Sequence, residues 1–475
     1  MRVIVIGGSA AGLAAALVLA RAGHAVTVLE RDGLEPAPDP ETAAAAAFRA
    51  TAPQIVQPHV LLATFREILR DRLPDVYRAL LDAGVVEAPL VTQMPPTLLD
   101  RSAEPGDDRL TLLMTRRATV DWVLGRAAAA EPGIDLCHHV HVLGLAAGPG
   151  EPPRVLGVRT DSGDLAGDLV VDATGRRSPV DRWLAGIGAR RTVTTVAECG
   201  VAYFSRQYRL RAGPLPGPAA SRTVAGLDEF TVGIWGGDNG TMQLALAPLA
   251  ADRRFRAARD PDVFTAVLRT VPLYAAWLDV LDPITDVAVM GGLHNTLRRL
   301  VVDGRPVATG LHALGDSVCT TNPTFGRGMG MVLRGAADLA DTLAAHPADP
   351  YAQALAMDGA VTEHVEPWYA DQAATDSARL AALRHTVLGA PPPPAPAPAA
   401  GRLTFGELRT AAQVDPSAFR ALWKIMGMVG TPSAVYRDPA LVSRVRAVLA
   451  LGVPRPVAQP TRDELRAVLC QPAPR

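Results

Sequence analysis

The feature that most constrains this 475-residue chain lies in its first thirty residues. Residues 2–6 (Arg-Val-Ile-Val-Ile) are short, β-branched and bounded by glycine, as in a strand buried within a parallel sheet. The turn Gly7-Gly8-Ser9-Ala10-Ala11-Gly12 follows directly. Residues 11–22, rich in Ala and Leu without a breaker, read as a helix, and a second short apolar run over 25–29 ends at Glu30. Strand, glycine turn, helix, strand and acid is the order of a dinucleotide-binding unit. Gly7 permits the tight turn, and the small residues Ser9, Ala10 and Ala11 let the backbone reach a pyrophosphate. Gly12 lets helix and strand approach closely. Exposed N–H groups and the helix dipole would then hold the phosphates. Glu30, followed by Arg31, is placed for an adenosine ribose, although Ser9 replaces the fingerprint's second glycine. A secretory leader is the competing reading of this stretch. Gly7, Gly8 and Ser9 interrupt it, so a cytoplasmic protein is expected.

A second glycine-rich constellation reads Gly315-Asp316-Ser317-Val318-Cys319, then Asn322-Pro323-Thr324-Phe325-Gly326-Arg327-Gly328-Met329-Gly330. A strand delivers Asp316, a proline-shaped loop follows, and glycines open a helix near 327. The pattern offers another helix N-terminus, suited to a partly anionic ring edge.

Between these motifs the pattern predicts short helices over 61–71 and 74–84, a strand near 109–114 and a helix over 118–130. Residues 192–248 read mostly as strand, 261–281 as helical, 284–291 and 306–314 as strand, and 327–346 and 351–388 as helical. Pro391 to Pro398 form a stiff Pro-rich linker, and 403–470 read as small helices. The fold class is therefore α/β: a Rossmann-like domain with an inserted, mostly antiparallel substrate sheet and a C-terminal helical region. The expected domains are 1–190 and 285–345 for the cofactor, 191–284 for substrate and 346–475 as the helical region.

Charge and composition exclude several classes. The 47 basic and 48 acidic side chains leave a net charge of -1, which gives no electrostatic footprint for nucleic acid. It also fits a neutral or apolar substrate that needs no steering field. No run of 18 uncharged apolar residues supports a membrane span. Cys137, Cys199, Cys319 and Cys470 lack motif spacing, and Cys137, His139 and His141 find no fourth ligand, so no metal site is expected.

Taken in order, the motifs resemble those of flavin-dependent monooxygenases with the p-hydroxybenzoate hydroxylase fold, over about residues 1–345. Within that family the chain is similar to the bacterial natural-product branch that includes polyether epoxidases. The resemblance implies that Gly7, Ser9, Gly12 and Glu30 bind the ADP half of FAD and that Asp316, after Gly315, binds the ribityl chain. It places the Pro323, Gly326 and Gly328 loop beside the flavin ring, with Gly328 and Met329 donating N–H groups to its pyrimidine edge. Arg117 matches an arginine that opens a helix and contacts FAD. Arg49, Pro53, Gln54 and His59 resemble an epoxidase-branch stretch.

The implied reaction is oxygen transfer from reduced FAD to an electron-rich small molecule, by hydroxylation or epoxidation. It needs a dry cavity and no nucleophile, so no catalytic side chain is singled out. Tyr203, Tyr208, Trp235 and Phe325 are the substrate-pocket candidates, and period-two spacing puts Tyr203 and Ser205 on one face with Phe204 and Arg206 on the other.

One motif departs from the family. Where many hydroxylases carry Asp-Gly, then Ser and Arg, this chain has Thr174-Gly175, Ser178 and Asp181. Direct reduction by NAD(P)H is thereby in doubt, and reduced flavin from a separate reductase is the other source. A redox-neutral FAD-containing cyclase and a flavin-dependent reductase are the alternatives to the monooxygenase. Chlorination is disfavoured because no Trp-x-Trp-x-Ile-Pro signature occurs and Lys424, the only lysine, lies far downstream.

Overall fold

The computed structural model describes residues 1–33, 37–393, 401–453 and 457–470. The strand Arg2–Ile6 occupies the middle of a five-stranded sheet, between Ala25–Leu29 and Leu169–Asp172, both parallel to it. Ile134–Cys137 extends one side and Leu311–Ala313 the other, again in parallel. In chain order the strands lie 5-4-1-2-3, so the winding reverses between the first and the fourth. In open α/β sheets a ligand crevice forms outside the carboxyl ends of the strands at such a reversal. Here those ends lead directly into Gly7 and Ala173.

Both faces of this sheet are covered, which explains why its strands are almost continuously apolar. Val3 and Val5 pack with Leu13, Leu17 and Leu333 of the helices Ala10–Arg21 and Arg327–Ala345. Ile4 and Ile6, pointing the other way, pack with Val155, Val158 and Trp183 under a small antiparallel sheet. The close fit of the first helix depends on glycine. A Cβ on Gly12 would stand 1.7 Å from the Gly7 carbonyl oxygen, and Gly7 itself has φ of 111°.

The second large sheet is antiparallel throughout. Arg222–Gly226, Phe230–Gly236, Thr241–Pro248 and Tyr203–Leu210 lie in that order, and Leu281–Pro283 and Ala288–Met290 share the far edge. Phe204, Tyr208, Phe230, Ile234 and Leu244 form its core against the helices Pro261–Arg269 and Pro272–Leu278.

Two helical regions expected to be continuous are each divided at a proline. Pro272 opens a new helix after Arg269, and Pro350–His364 is followed by Glu366–Leu388, with Pro367 in its first turn. Proline has no N–H for a preceding turn but suits a helix start. The strand expected over 306–314 is limited to Arg305–Pro306 and Leu311–Ala313. Of the Pro-rich linker, 391–393 carry no regular structure and 394–398 lie outside the described residues.

The C-terminal helices are part of the body. Leu408, Trp423, Ile425 and Tyr436 join one core with Leu62, Met114 and Met331. Leu465 and Leu469 pack into the core of the antiparallel sheet. Among the described residues, no helix is long and apolar enough to cross a membrane.

Candidate functional site

A cavity of about 610 Å³ opens at the switch point and runs between the two large sheets. At one end the Glu30 carboxylate accepts hydrogen bonds from the N–H of Gly8 at 2.7 Å and of Asp32 at 2.9 Å. Arg49 lies 3.2 Å from Glu30 and 3.0 Å from Asp32. Gly8 must be glycine for this approach, because its Cβ would stand 2.9 Å from the Glu30 Cβ. Ser9 precedes the first helix but caps none of its N–H groups. Its hydroxyl instead lies 3.3 Å from Asp121 and accepts from Arg117 at 3.1 Å. Arg117 opens the helix Arg117–Ala130 and holds Asp121 at 2.7 Å.

The long helix Arg327–Ala345 begins the same way, after Gly326 at φ of 73°, again with no side-chain cap. By contrast, the helices starting at Phe405, Pro416, Pro432 and Pro439 are capped by Thr404, Asp415, Thr431 and Asp438. Two helix N-termini with free backbone donors thus face one cavity, where an anion is favoured.

Asp316 lines the cavity between them. Among the described residues its carboxyl meets no hydrogen-bond donor. Burial raises its pKa, and the charges of Arg117 and Arg176 act against that rise. His59 donates from Nδ1 to the Gln57 carbonyl, 2.9 Å away. Burial, then the Arg117 charge, pushes its pKa down to about 4, so the ring is neutral at pH 7.

The variant motif after the fourth strand is folded inward. Asp172, fully buried, accepts from the Thr174 N–H at 3.0 Å and hydroxyl at 2.6 Å, and from the hydroxyls of Ser178 and Ser317. Asp181 points away to Thr192 and, at 3.5 Å, to Arg298. Thr174 and Gly175 do line the cavity, as do Arg176, Arg177 and Arg182.

Most of the residues expected from the motifs meet here. Gly7, Ser9, Ala11, Glu30, Arg31 and Arg117 line the cavity on one side. Asp316, Pro323, Gly326, Gly328 and Met329 line it on the other. Ala10, Gly12 and Gly315 lie behind the wall: Ala10 is fully buried, and Gly315 sits where a Cβ would come 3.1 Å from both Ala11 and Val332. Tyr203 and Trp235 line the sheet end.

Two substrate candidates are corrected. Tyr208, five positions after Tyr203, falls on the opposite face of the strand and is buried in the core beneath the helices. Phe325 turns away from the cavity, its ring 4.7 Å from Phe405 and 4.8 Å from the Arg327 guanidinium. Lys424 is exposed on the helix Pro416–Met426, outside the cavity. Motif reasoning did not reach Arg222, which lines the cavity from the first residue of its strand. An isolated arginine in a β-like run carries no spacing signal.

No protein-family model matches the chain. Protein Rv3254 of Mycobacterium tuberculosis is 29% identical over 356 residues, covering 69% of this chain and 70% of that protein. Among solved structures, the chain is similar to pqsL of Pseudomonas aeruginosa, a probable FAD-dependent monooxygenase. The TM-score is 0.56 at 18% identity, over 82% of this chain and 98% of that one. The flavin-dependent brominase Bmp2 gives a TM-score of 0.62 at 14% identity, over 95% of this chain and 99% of that one. The fold is that of flavin-dependent monooxygenases and halogenases.

Proposed function

We propose that this chain is an FAD-dependent monooxygenase that hydroxylates or epoxidises a small, largely apolar, natural-product-type molecule. The observation that carries the reading is the unpartnered Asp316 carboxyl, set between two uncapped helix N-termini on one cavity. FAD fits this arrangement group by group. Glu30 suits a ribose, the N–H groups after Ser9 suit the pyrophosphate, and Asp316 suits a ribityl hydroxyl. The backbone at Gly328 and Met329 suits the ring's polar edge. Residues 1–190 with 285–345 then serve the cofactor and 191–284 the substrate.

When bound, FAD in its reduced form supplies the activation of dioxygen. The chain's own contribution is placement and exclusion of water. The neutral His59, fixed by Gln57, presents no second positive charge beside Arg117. Val224, Trp235, Ala247 and Leu293 give the sheet end an apolar wall. The Thr174 hydroxyl is engaged by Asp172, and Asp181 points away. We therefore favour reduction by a separate flavin reductase over a dedicated NAD(P)H site. The epoxidase-like branch rests on Arg49, Pro53, Gln54 and His59, all of which line the cavity.

The test follows conversion of candidate apolar substrates by the FAD-loaded protein under air and under nitrogen, with and without reduced flavin, using isotopically labelled dioxygen. Label in the product, dependent on reduced flavin, is expected. Equal conversion under nitrogen with oxidised FAD would overturn oxygenation in favour of a redox-neutral cyclisation.

A further inference from the structure

Arg222 at the sheet end of the cavity, with Arg379 and Arg409 beside it, makes a cluster of half-buried guanidiniums that form no ion pair among the described residues. Arg222 lines the cavity, yet among the described residues its one side-chain hydrogen bond runs from Nη2 to the neutral carbonyl of Thr324 at 2.7 Å. Its Nε is buried without a partner. The charge that acts on it is that of Arg327, another cation. Beyond Val224 on the same strand face lies Gly226, and over it sit two more guanidiniums. A Cβ there would stand 3.0 Å from Arg409 and 3.2 Å from Arg379. Among the described residues neither arginine forms an ion pair, and Nη2 of Arg379 is also buried without a partner. Tyr203 links the group. Its hydroxyl meets Thr324 Oγ1 at 2.6 Å, and the charge of Arg379 acts on it.

The neighbouring acids are already engaged. Asp371 is held by Arg327 and by the Tyr436 hydroxyl at 2.9 Å. Asp376 accepts from Asn295, Asn322 and Gln372, and burial raises its pKa, which draws it toward the neutral form. Burial lowers the pKa of Arg222 and of Arg379 to about 10, so both remain cations at neutral pH. Buried charges in proteins are normally paired or hydrogen-bonded throughout. The Asp376 charge acts on Arg379, but Arg222 on the cavity wall has no such acid, and a guanidinium fork matches a ligand carboxylate in two parallel hydrogen bonds.

We propose that the substrate is an organic acid, an apolar body whose carboxylate is gripped by Arg222 within the positive field of Arg379 and Arg409. The inference rests on reading this end of the cavity as the substrate's place. It replaces the neutral substrate that net charge alone had pointed to.

The experiment measures binding of 2-naphthoate and of 2-naphthamide to the FAD-loaded protein by calorimetry at pH 7.5. The acid and the amide have the same body and differ in charge. Leaving a buried charge unpaired weakens such a complex by about 30-fold or more, so the acid should bind at least that much more tightly. Arg222→Met should abolish the preference, and Arg222→Lys should keep part of it, with charge but no fork. Equal binding of acid and amide by the unaltered protein overturns the inference, whether or not the variants fold. So does an Arg222→Met variant that keeps the preference. A flavin-loaded protein that treats the two alike leaves the cofactor reading standing. A colourless protein that prefers the acid overturns the cofactor reading and leaves this one.

Discussion

His312 offers a quantitative test of the burial described above. It sits in the strand Leu311–Ala313 that leads to Asp316, is 3% exposed, and its Nε2 has no partner among the described residues. Burial alone pushes its pKa from 6.5 down to about 4. Between those values the unfolded chain binds more protons than the native one, so stability falls as pH falls through that window and is flat above it. For one such imidazole the loss is about 2 kcal/mol at pH 5 and about 3 kcal/mol at pH 4. A chain of this length, unfolding as one unit, gains roughly 1 kcal/mol/K of entropy, so the pH 5 loss corresponds to about 2 °C in Tm. His312→Met removes the titration and keeps an apolar side chain of similar reach. Calorimetric melting of both proteins from pH 7.5 to 4.5 should show a constant offset above pH 7. The variant should then gain about 2 kcal/mol on the unaltered protein by pH 5. A difference that stays constant over the whole range refutes the buried neutral imidazole. His59, with a pKa also near 4, should act in the same direction.

Four further substitutions have expected outcomes. Asp316→Asn should weaken FAD about tenfold to a hundredfold in a fluorescence titration, the usual cost of losing a hydrogen bond to a charged group. The same change should raise the melting temperature of the apo-protein at neutral pH, and the gain should vanish in acid, because the raised pKa makes the native carboxylate least favourable at high pH. Gly12→Ala, with its Cβ 1.7 Å from the Gly7 oxygen, should leave a protein that cannot retain flavin through gel filtration and melts at lower temperature. Tyr203→Phe should alter ligand binding by calorimetry with little change in stability. Tyr208→Phe should leave binding unchanged, since its side chain is buried in the sheet core away from the cavity.

How much of this was legible from residue order varies with the physics. The first strand, turn and helix could be read because backbone geometry restricts the residues allowed there. Gly7 at positive φ and Gly12 against the Gly7 carbonyl tolerate nothing larger. The loop ahead of Gly326 was legible for the same reason. Tyr208 was misplaced although strand alternation alone separates it from Tyr203 by an odd number of positions. Phe325 was misplaced for a different reason. Its loop does meet the cavity, through Pro323 and Gly326, but the ring is drawn outward by Phe405, a contact 80 positions away that no local pattern encodes.

Net charge was the weakest guide, because a sum over the chain carries no information about position. The balance of 47 basic and 48 acidic groups is made largely by pairs outside the sheet end of the cavity, such as Arg21 with Asp75, Arg72 with Asp341 and Arg299 with Asp358. Those pairs engage acids elsewhere, and among the described residues Arg222, Arg379 and Arg409 form no ion pair. Water screens an exposed pair to little consequence, whereas a half-buried guanidinium without an acid partner on a cavity wall favours an anion. A chain neutral in sum can therefore still gather cations at one place, as it does with Arg222 on the cavity wall and Arg379 and Arg409 beside it, and position rather than the total carries the proposed preference for an acid.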